Sequence, residues 1–174
     1  MLRLCAFPVV AALAAAPAVV HAEPGFQTGE WDLQLAGSAN NGPDFDGTAI
    51  SAAISAGYFL TDELSLRVKQ ALTFEDFSAG GNLNGSTGLG LLYHFQVDDQ
   101  LYPYVGANLG YVYGDTVNDS FFASPEAGGK YFVNDSTYIF LGVEYQFFFD
   151  KGDSASNAIS NGQFIYQLGV GFTF

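Results

Sequence analysis

The feature that most constrains this chain is a period-two alternation that keeps returning along it. The last run, "QFIYQLGVGFTF", shows it most plainly. Phe164, Tyr166, Leu168, Val170, Phe172 and Phe174 form an apolar set, against Gln163, Gln167, Gly169, Gly171 and Thr173. That spacing puts the two sets on opposite faces of a β-strand, and a helix has no use for it. Seven earlier runs repeat the pattern, separated by turn-forming residues, and no stretch shows a convincing 3.6-residue period.

The first run, "TGEWDLQLAG", sets Trp31, Leu33 and Leu35 against Glu30, Asp32 and Gln34. "TAISAAISAGYFL" opposes Ile50, Ile54 and Tyr58 to Ser51, Ser55 and Gly57, and "LSLRVKQALTF" opposes Leu66, Val68 and Leu72 to Arg67, Lys69 and Thr73. "STGLGLLYHF" and "YPYVGANLGYVYG" follow, with His94, Tyr104, Gly106, Asn108 and Gly110 on their smaller or more polar faces. "SPEAGGKYFV" carries Glu126 and Lys130 opposite Ala127 and Tyr131, and "YIFLGVEYQFFF" carries Glu144 opposite Val143 and Tyr145. Strands of about ten residues, eight in number, are the signature of a transmembrane β-barrel. The polar faces are rich in Gly, Ser and Ala, as the crowded inside of a narrow tube requires. The apolar faces end in aromatics, which suits lipid and its two interfaces. A soluble lipocalin-like barrel would reverse the two faces. One aromatic girdle is expected from Tyr58, Tyr93, Tyr131, Phe172 and Phe174, and part of another from Tyr113, Phe147 and Phe164.

The connections support the same architecture. "YFLTDELSL", "YHFQVDDQLYPY" and "YFVNDSTYI" each place an aromatic pair before a short polar turn. "NNGPDFDG", "EDFSAGGNLN", "DTVNDSFFAS" and "DKGDSASNAISN" read as longer loops. Three short turns and four loops are what an eight-stranded barrel with both termini on one side needs. Ahead of the barrel, residues 1–22 have a basic start at Arg3, an apolar run broken by Pro8 and Pro17, and small residues at Val20 and Ala22. The stretch is expected to be a signal peptide cleaved after Ala22, leaving residues 23–174 as the barrel. The one cysteine, Cys5, lies within the leader, so the exported form has no thiol or disulfide chemistry.

Charge falls in two places. Glu30, Asp32, Arg67, Lys69, Glu126, Lys130 and Glu144 lie on inward faces, where isolated charge is costly and paired charge is tolerated. They are expected to form an ion-pair network that plugs the tube; the alternative is a selectivity ring for a permeating ion. Acids dominate the loops, with Asp44, Asp46, Glu75, Asp76, Asp115, Asp119, Asp150 and Asp153 there, and the whole chain has a formal charge of −13. Such a surface repels nucleic acid. "DFDG" and "DKGD" lack the ligand count and spacing of a calcium site, so no metal and no cofactor is expected.

Nothing in the chain spells catalysis. His94 is the only histidine after the leader. It sits at the end opposite the extracellular rim where a palmitoyltransferase-type barrel would need it, and no His-x-Ser pattern of a lipid A deacylase barrel accompanies it. No catalytic residue is assigned.

"GYFLTDELSLRV", "YPYVGANLGY" and "GGKYFV" with its polar turn resemble the small OmpA/OmpX-type outer-membrane barrels, over nearly all of residues 23–174. The resemblance implies a bacterial outer-membrane location, with membrane lipid, periplasmic chaperones and the barrel assembly machinery as partners. It also implies that the alternating final strand from Phe164 to Phe174 is an assembly signal. Relatives often carry a peptidoglycan-binding domain after the barrel. This chain ends at Phe174, so function is expected to reside in the barrel, its lumen or its loops. Two roles remain: a structural or interaction scaffold with an unknown loop partner, and a narrow gated channel for ions or small solutes.

Overall fold

Eight antiparallel strands, each hydrogen-bonded to its neighbours in chain order, close into a barrel. The computed structural model describes residues 24–41, 48–76, 81–115, 119–149 and 162–174. The strands are β1 (Trp31–Asn41), β2 (Thr48–Phe59), β3 (Leu64–Asp76), β4 (Asn82–His94), β5 (Leu101–Gly114), β6 (Ser120–Phe132), β7 (Thr137–Phe149) and β8 (Gln163–Thr173). The expected signal peptide, residues 1–22, lies outside the described residues, as do residues 42–47 and 150–161 of the expected loops.

Alternation decides which way each side chain points. Leu66, Val68, Leu89, Leu91, Val105, Leu109, Leu141 and Leu168 are exposed on the outer wall, while Arg67, Lys69, Asn108, Glu126 and Glu144 are buried within it. The outer wall is therefore apolar over its whole girth, the reverse of a water-soluble barrel. One polar side chain on that wall, Gln70, is satisfied locally. Thr87 Oγ1 donates to Gln70 Oε1 at 2.6 Å, and Gln70 Nε2 donates to Tyr113 Oη at 2.8 Å. Aromatic rings gather at the two rims. Trp31 meets Tyr58 and Tyr93 meets Phe95 at the short-turn end, with centroids 5.3 and 5.0 Å apart. At the other end Tyr111 meets Phe121, and Tyr145 meets Phe164.

Several boundaries differ from the sequence expectation. β1 starts at Trp31 because Thr28 and Gly29 form a turn, with Gly29 at φ 91° donating its N–H to the Phe59 carbonyl. β3 and β4 extend into the expected loop "EDFSAGGNLN", and β6 begins at Ser120 rather than Ser124. In the latter case Phe121 faces out and Phe122 faces in, so strand alternation simply continues. Pro125 interrupts the β6–β7 ladder: Ala123 pairs with Phe147 and Glu126 with Glu144, and the two positions between are not joined. Proline has no N–H to give the ladder.

The closing seam is the shortest. β1 meets β8 in five register pairs, from Asp32↔Thr173 to Ala36↔Gly169. Below them Trp31 and Phe174 exchange both backbone bonds, at 2.9 and 3.0 Å. Every other pair of neighbouring strands is matched over at least ten residues.

Candidate functional site

The inside of the tube is built in tiers. β3 points Arg67 and Lys69, two residues apart, to the same side of the lumen. Facing them are Glu126 on β6 and Glu144 on β7, directly opposite one another in register. Two carboxylates in that relation repel, and each is matched by its own cation. Arg67 pairs with Glu126 through both guanidinium termini, with Nη1 to Oε1 at 3.2 Å, and its Nη2 also donates to Asn108 Oδ1 at 3.0 Å. Glu126 further accepts from Asn108 Nδ2 at 2.9 Å and from the Tyr104 hydroxyl at 3.0 Å. Lys69 pairs with Glu144, which also accepts from Ser124 Oγ at 2.6 Å, Gln146 Nε2 at 3.0 Å and Gln167 Nε2 at 3.2 Å. Fork geometry and fully used lone pairs are what make such burial tolerable.

Nearer the short turns lies a third pair. Lys130 Nζ donates to Asp32 Oδ2 at 2.9 Å, and Asp32 also takes bonds from Gln34 Nε2 and the Tyr138 hydroxyl. The Lys130 ammonium stands 4.6 Å from the Phe26 ring centroid and 4.9 Å from that of Tyr138, with Phe59 and Tyr104 each at 5.8 Å. Ring faces carry partial negative charge, so they replace part of the lost hydration.

An aromatic layer then closes the short-turn end. Phe26, Phe59, Tyr102, Phe132, Tyr138 and Phe140 are all buried. Phe26 is its centre: it stacks on Phe59 at 4.4 Å and meets Tyr102, Phe132 and Tyr138 edge-on at 5.1–5.8 Å. The segment carrying it is tied down on both sides. Tyr102 Oη reaches the Pro24 carbonyl at 3.4 Å, and Thr28 donates to Asp62 Oδ1 from both its backbone N–H and its hydroxyl, at 2.8 and 2.7 Å. Both bonds hold the exposed Asp62 carboxyl below its ordinary range, the hydroxyl bond more strongly.

All seven charged residues singled out in the sequence thus face the lumen. Six of them form the three pairs, and Glu30 accepts the Gln27 N–H through Oε2 at 2.9 Å. His94 is also inward; its Nδ1 lies 3.1 Å from the Glu63 carbonyl and its ring packs on Phe26 and Phe59. Phe164, Tyr166, Leu168, Val170 and Phe172 of β8 face outward, and Phe174 is half-buried beside Trp31. Among the described residues no cluster of three or more His, Cys, Asp or Glu is placed to hold a metal ion.

Sequence reasoning missed the aromatic floor. The signal for most of it was present. In the doublets Tyr58–Phe59 and Tyr131–Phe132 at the short turns, the first ring faces out and the second must face in. Phe26 had no such signal, because it precedes the first strand.

Solved barrels resemble this one closely in shape and weakly in sequence. The outer membrane protein OprG from Pseudomonas aeruginosa shares 12% identity, with a TM-score of 0.60 over 87% of this chain and 99% of that one. The N-terminal β-barrel domain of P. aeruginosa OprF shares 22%, with a TM-score of 0.60 over 85% of this chain and 98% of its own. Neisserial surface protein A shares 18%, with a TM-score of 0.54 over 83% and 94%. These are outer-membrane barrels of the OmpA/OmpX type, and they carry the fold. The OprF membrane domain family matches residues 10–174. A closed, outwardly apolar eight-stranded barrel matched over nearly its whole length makes this chain a member of the OprF membrane domain family, a protein of the bacterial outer membrane.

Proposed function

We propose that this protein is a structural and interaction barrel: a scaffold anchored in outer-membrane lipid, its lumen shut and its four loops turned outward toward a partner not yet known. The carrying observation is the tiered closure. Two ion pairs cross the lumen at Arg67–Glu126 and Lys69–Glu144, a third lies below at Lys130–Asp32, and the Phe26 layer seals the end beneath them. Side chains that bond one another across the tube leave no hydrated path for an ion. The same reading includes export through the signal peptide of residues 1–22, and N-terminal sequencing of the membrane-extracted protein should begin at Glu23. No catalytic role belongs to it: His94 turns its one bonded nitrogen to a backbone carbonyl, and its Nε2 has no hydrogen-bond partner.

The refolded barrel in a planar lipid bilayer tests the closure. A silent membrane containing verified folded protein fits the scaffold.

A narrow gated channel is the second reading. It is favoured by the polar side chains at and above the level of the pairs, Ser51, Ser55, Thr73, Gln146 and Gln167, and by Lys69, the most accessible of the three paired cations. Discrete current steps that change when Arg67 or Glu144 is neutralised would establish that reading and sink the first.

A further inference from the structure

β6 turns small residues toward the lipid. On its outer face Tyr131 is followed by Gly129 and Ala127, and a Cβ at Gly129 would meet nothing within 4 Å. The neighbouring strands stand higher: β7 sets Leu141 and Val143 beside these two positions, and β5 sets Pro103 and Val105 there. The result is a trough along β6 that widens toward Leu168 and Tyr166 of β8, with a volume of about 510 Å³.

The trough starts at the short-turn rim, at Leu101, Tyr131 and Ile139, and reaches Val143. Four residues from Ile139 to Val143 rise about 13 Å along the strand. At the usual tilt that is about 10 Å of depth, within the roughly 15 Å of one leaflet. A hollow facing hydrocarbon forfeits dispersion contacts unless something fills it. At this depth the filler is an acyl chain.

The foot of the trough selects the headgroup. The β4–β5 turn carries Asp98 and Asp99 and the β6–β7 turn carries Asp135, all exposed. Asp98 Oδ1 accepts the N–H groups of Gln100 and Leu101, at 2.8 and 2.7 Å, which fixes the first turn beside the trough wall. Tyr131 reaches the same turn, its hydroxyl donating to Gln100 Oε1 at 2.9 Å. No base offsets these acids among the described residues, because Arg67, Lys69 and Lys130 all point into the lumen. Such a rim repels a net anionic headgroup and attracts a primary ammonium, which also donates hydrogen bonds to carboxylates.

We propose that the trough along β6 seats one chain of a zwitterionic phospholipid with a primary-ammonium head, the head lying against the β4–β5 and β6–β7 turns. A trimethylammonium head has the charge but no N–H to give, so it is held less well. The assignment goes beyond the scaffold reading and does not depend on it, since a conducting barrel would keep the same outer wall.

The test places the isotope-labelled barrel in phosphatidylcholine nanodiscs with a trace of phosphatidylethanolamine spin-labelled in mid-chain. The readout is paramagnetic broadening of methyl resonances. Ala127 and Leu141 should broaden more than Leu66 and Leu91, which face lipid on β3 and β4, and unlabelled phosphatidylethanolamine should reverse the excess. The same label on phosphatidylcholine should give an excess smaller by about threefold, the scale of an exposed ion pair, and on phosphatidylglycerol none. Gly129→Leu fills the trough and should level the broadening. Asp99→Asn with Asp135→Asn should bring the phosphatidylethanolamine and phosphatidylcholine results together. Equal broadening all round the wall of the unaltered barrel, or an excess from phosphatidylglycerol as large, would overturn the proposal. So would a headgroup preference that survives the loss of both carboxylates. Ala127 and Leu141 shielded from all three labelled lipids would give this face to a second copy of the chain, and that too would overturn it.

Discussion

Lys130 and Asp32 lie 98 residues apart in the chain and meet inside the barrel at 2.9 Å, with side chains 1% and 2% exposed. Removing one member strands the other's charge in a place without water, at a cost of about 3–5 kcal/mol. Lys130→Met should lower the urea midpoint of the barrel in lipid accordingly. Lys130→Met combined with Asp32→Asn should recover part of the loss, because no net charge is then left uncompensated. A double variant as unstable as the single changes added together would show that the pair is not coupled.

Two glycines on neighbouring strands should answer oppositely to alanine. At Gly142 a Cβ would sit 2.5 Å from Tyr104 Oη, the hydroxyl that bonds Glu126. Gly142→Ala should cost about 1–3 kcal/mol by overpacking. At Gly129 the space is open, and Gly129→Ala should gain about 0.5–1 kcal/mol from the lower entropy of the unfolded chain. Equilibrium unfolding of both variants in the same lipid checks the difference in sign.

Acid should loosen the N-terminal segment before it touches the barrel. Asp62 is held below its ordinary pKa of 3.8 by the Thr28 hydroxyl and then by the Thr28 N–H. A lowered folded-state pKa means that the stabilisation is present above the unfolded value and lost as pH falls through the folded one. The amide resonance of Thr28 should therefore move only below about pH 4, and Asp62→Asn should remove that step. An unchanged titration in Asp62→Asn would break the link.

Phe174 ties the seam at its lowest point through two backbone bonds with Trp31. Deleting it removes both and, on the reading of β8 as an assembly signal, should reduce the amount of folded protein recovered from outer membranes. Normal recovery would refute that role for Phe174.

The fold was legible in this sequence because alternation survives strand by strand: Leu66, Val68 and Leu72 against Arg67, Lys69 and Thr73 already state which face meets lipid. Inward charge was legible for the same reason. The pairing was not, since Arg67 and Glu126 meet across the lumen and only the register of all intervening strands decides it. The sequence pattern puts the start of β6 four residues late because Phe121 and Phe122, adjacent and alike, look like a break in alternation when each in fact serves a different face. Phe26 was beyond reach, as a lone ring outside any strand carries no period.

That ring has a consequence for the order of events during folding. Its neighbours Phe59, His94, Tyr102, Phe132 and Tyr138 come from β2, β4, β5, β6 and β7, so the socket does not exist until the sheet has curled round. The earliest of these residues to be synthesised is the last to be seated. A reporter placed at position 26 would mark the moment at which circularisation finishes.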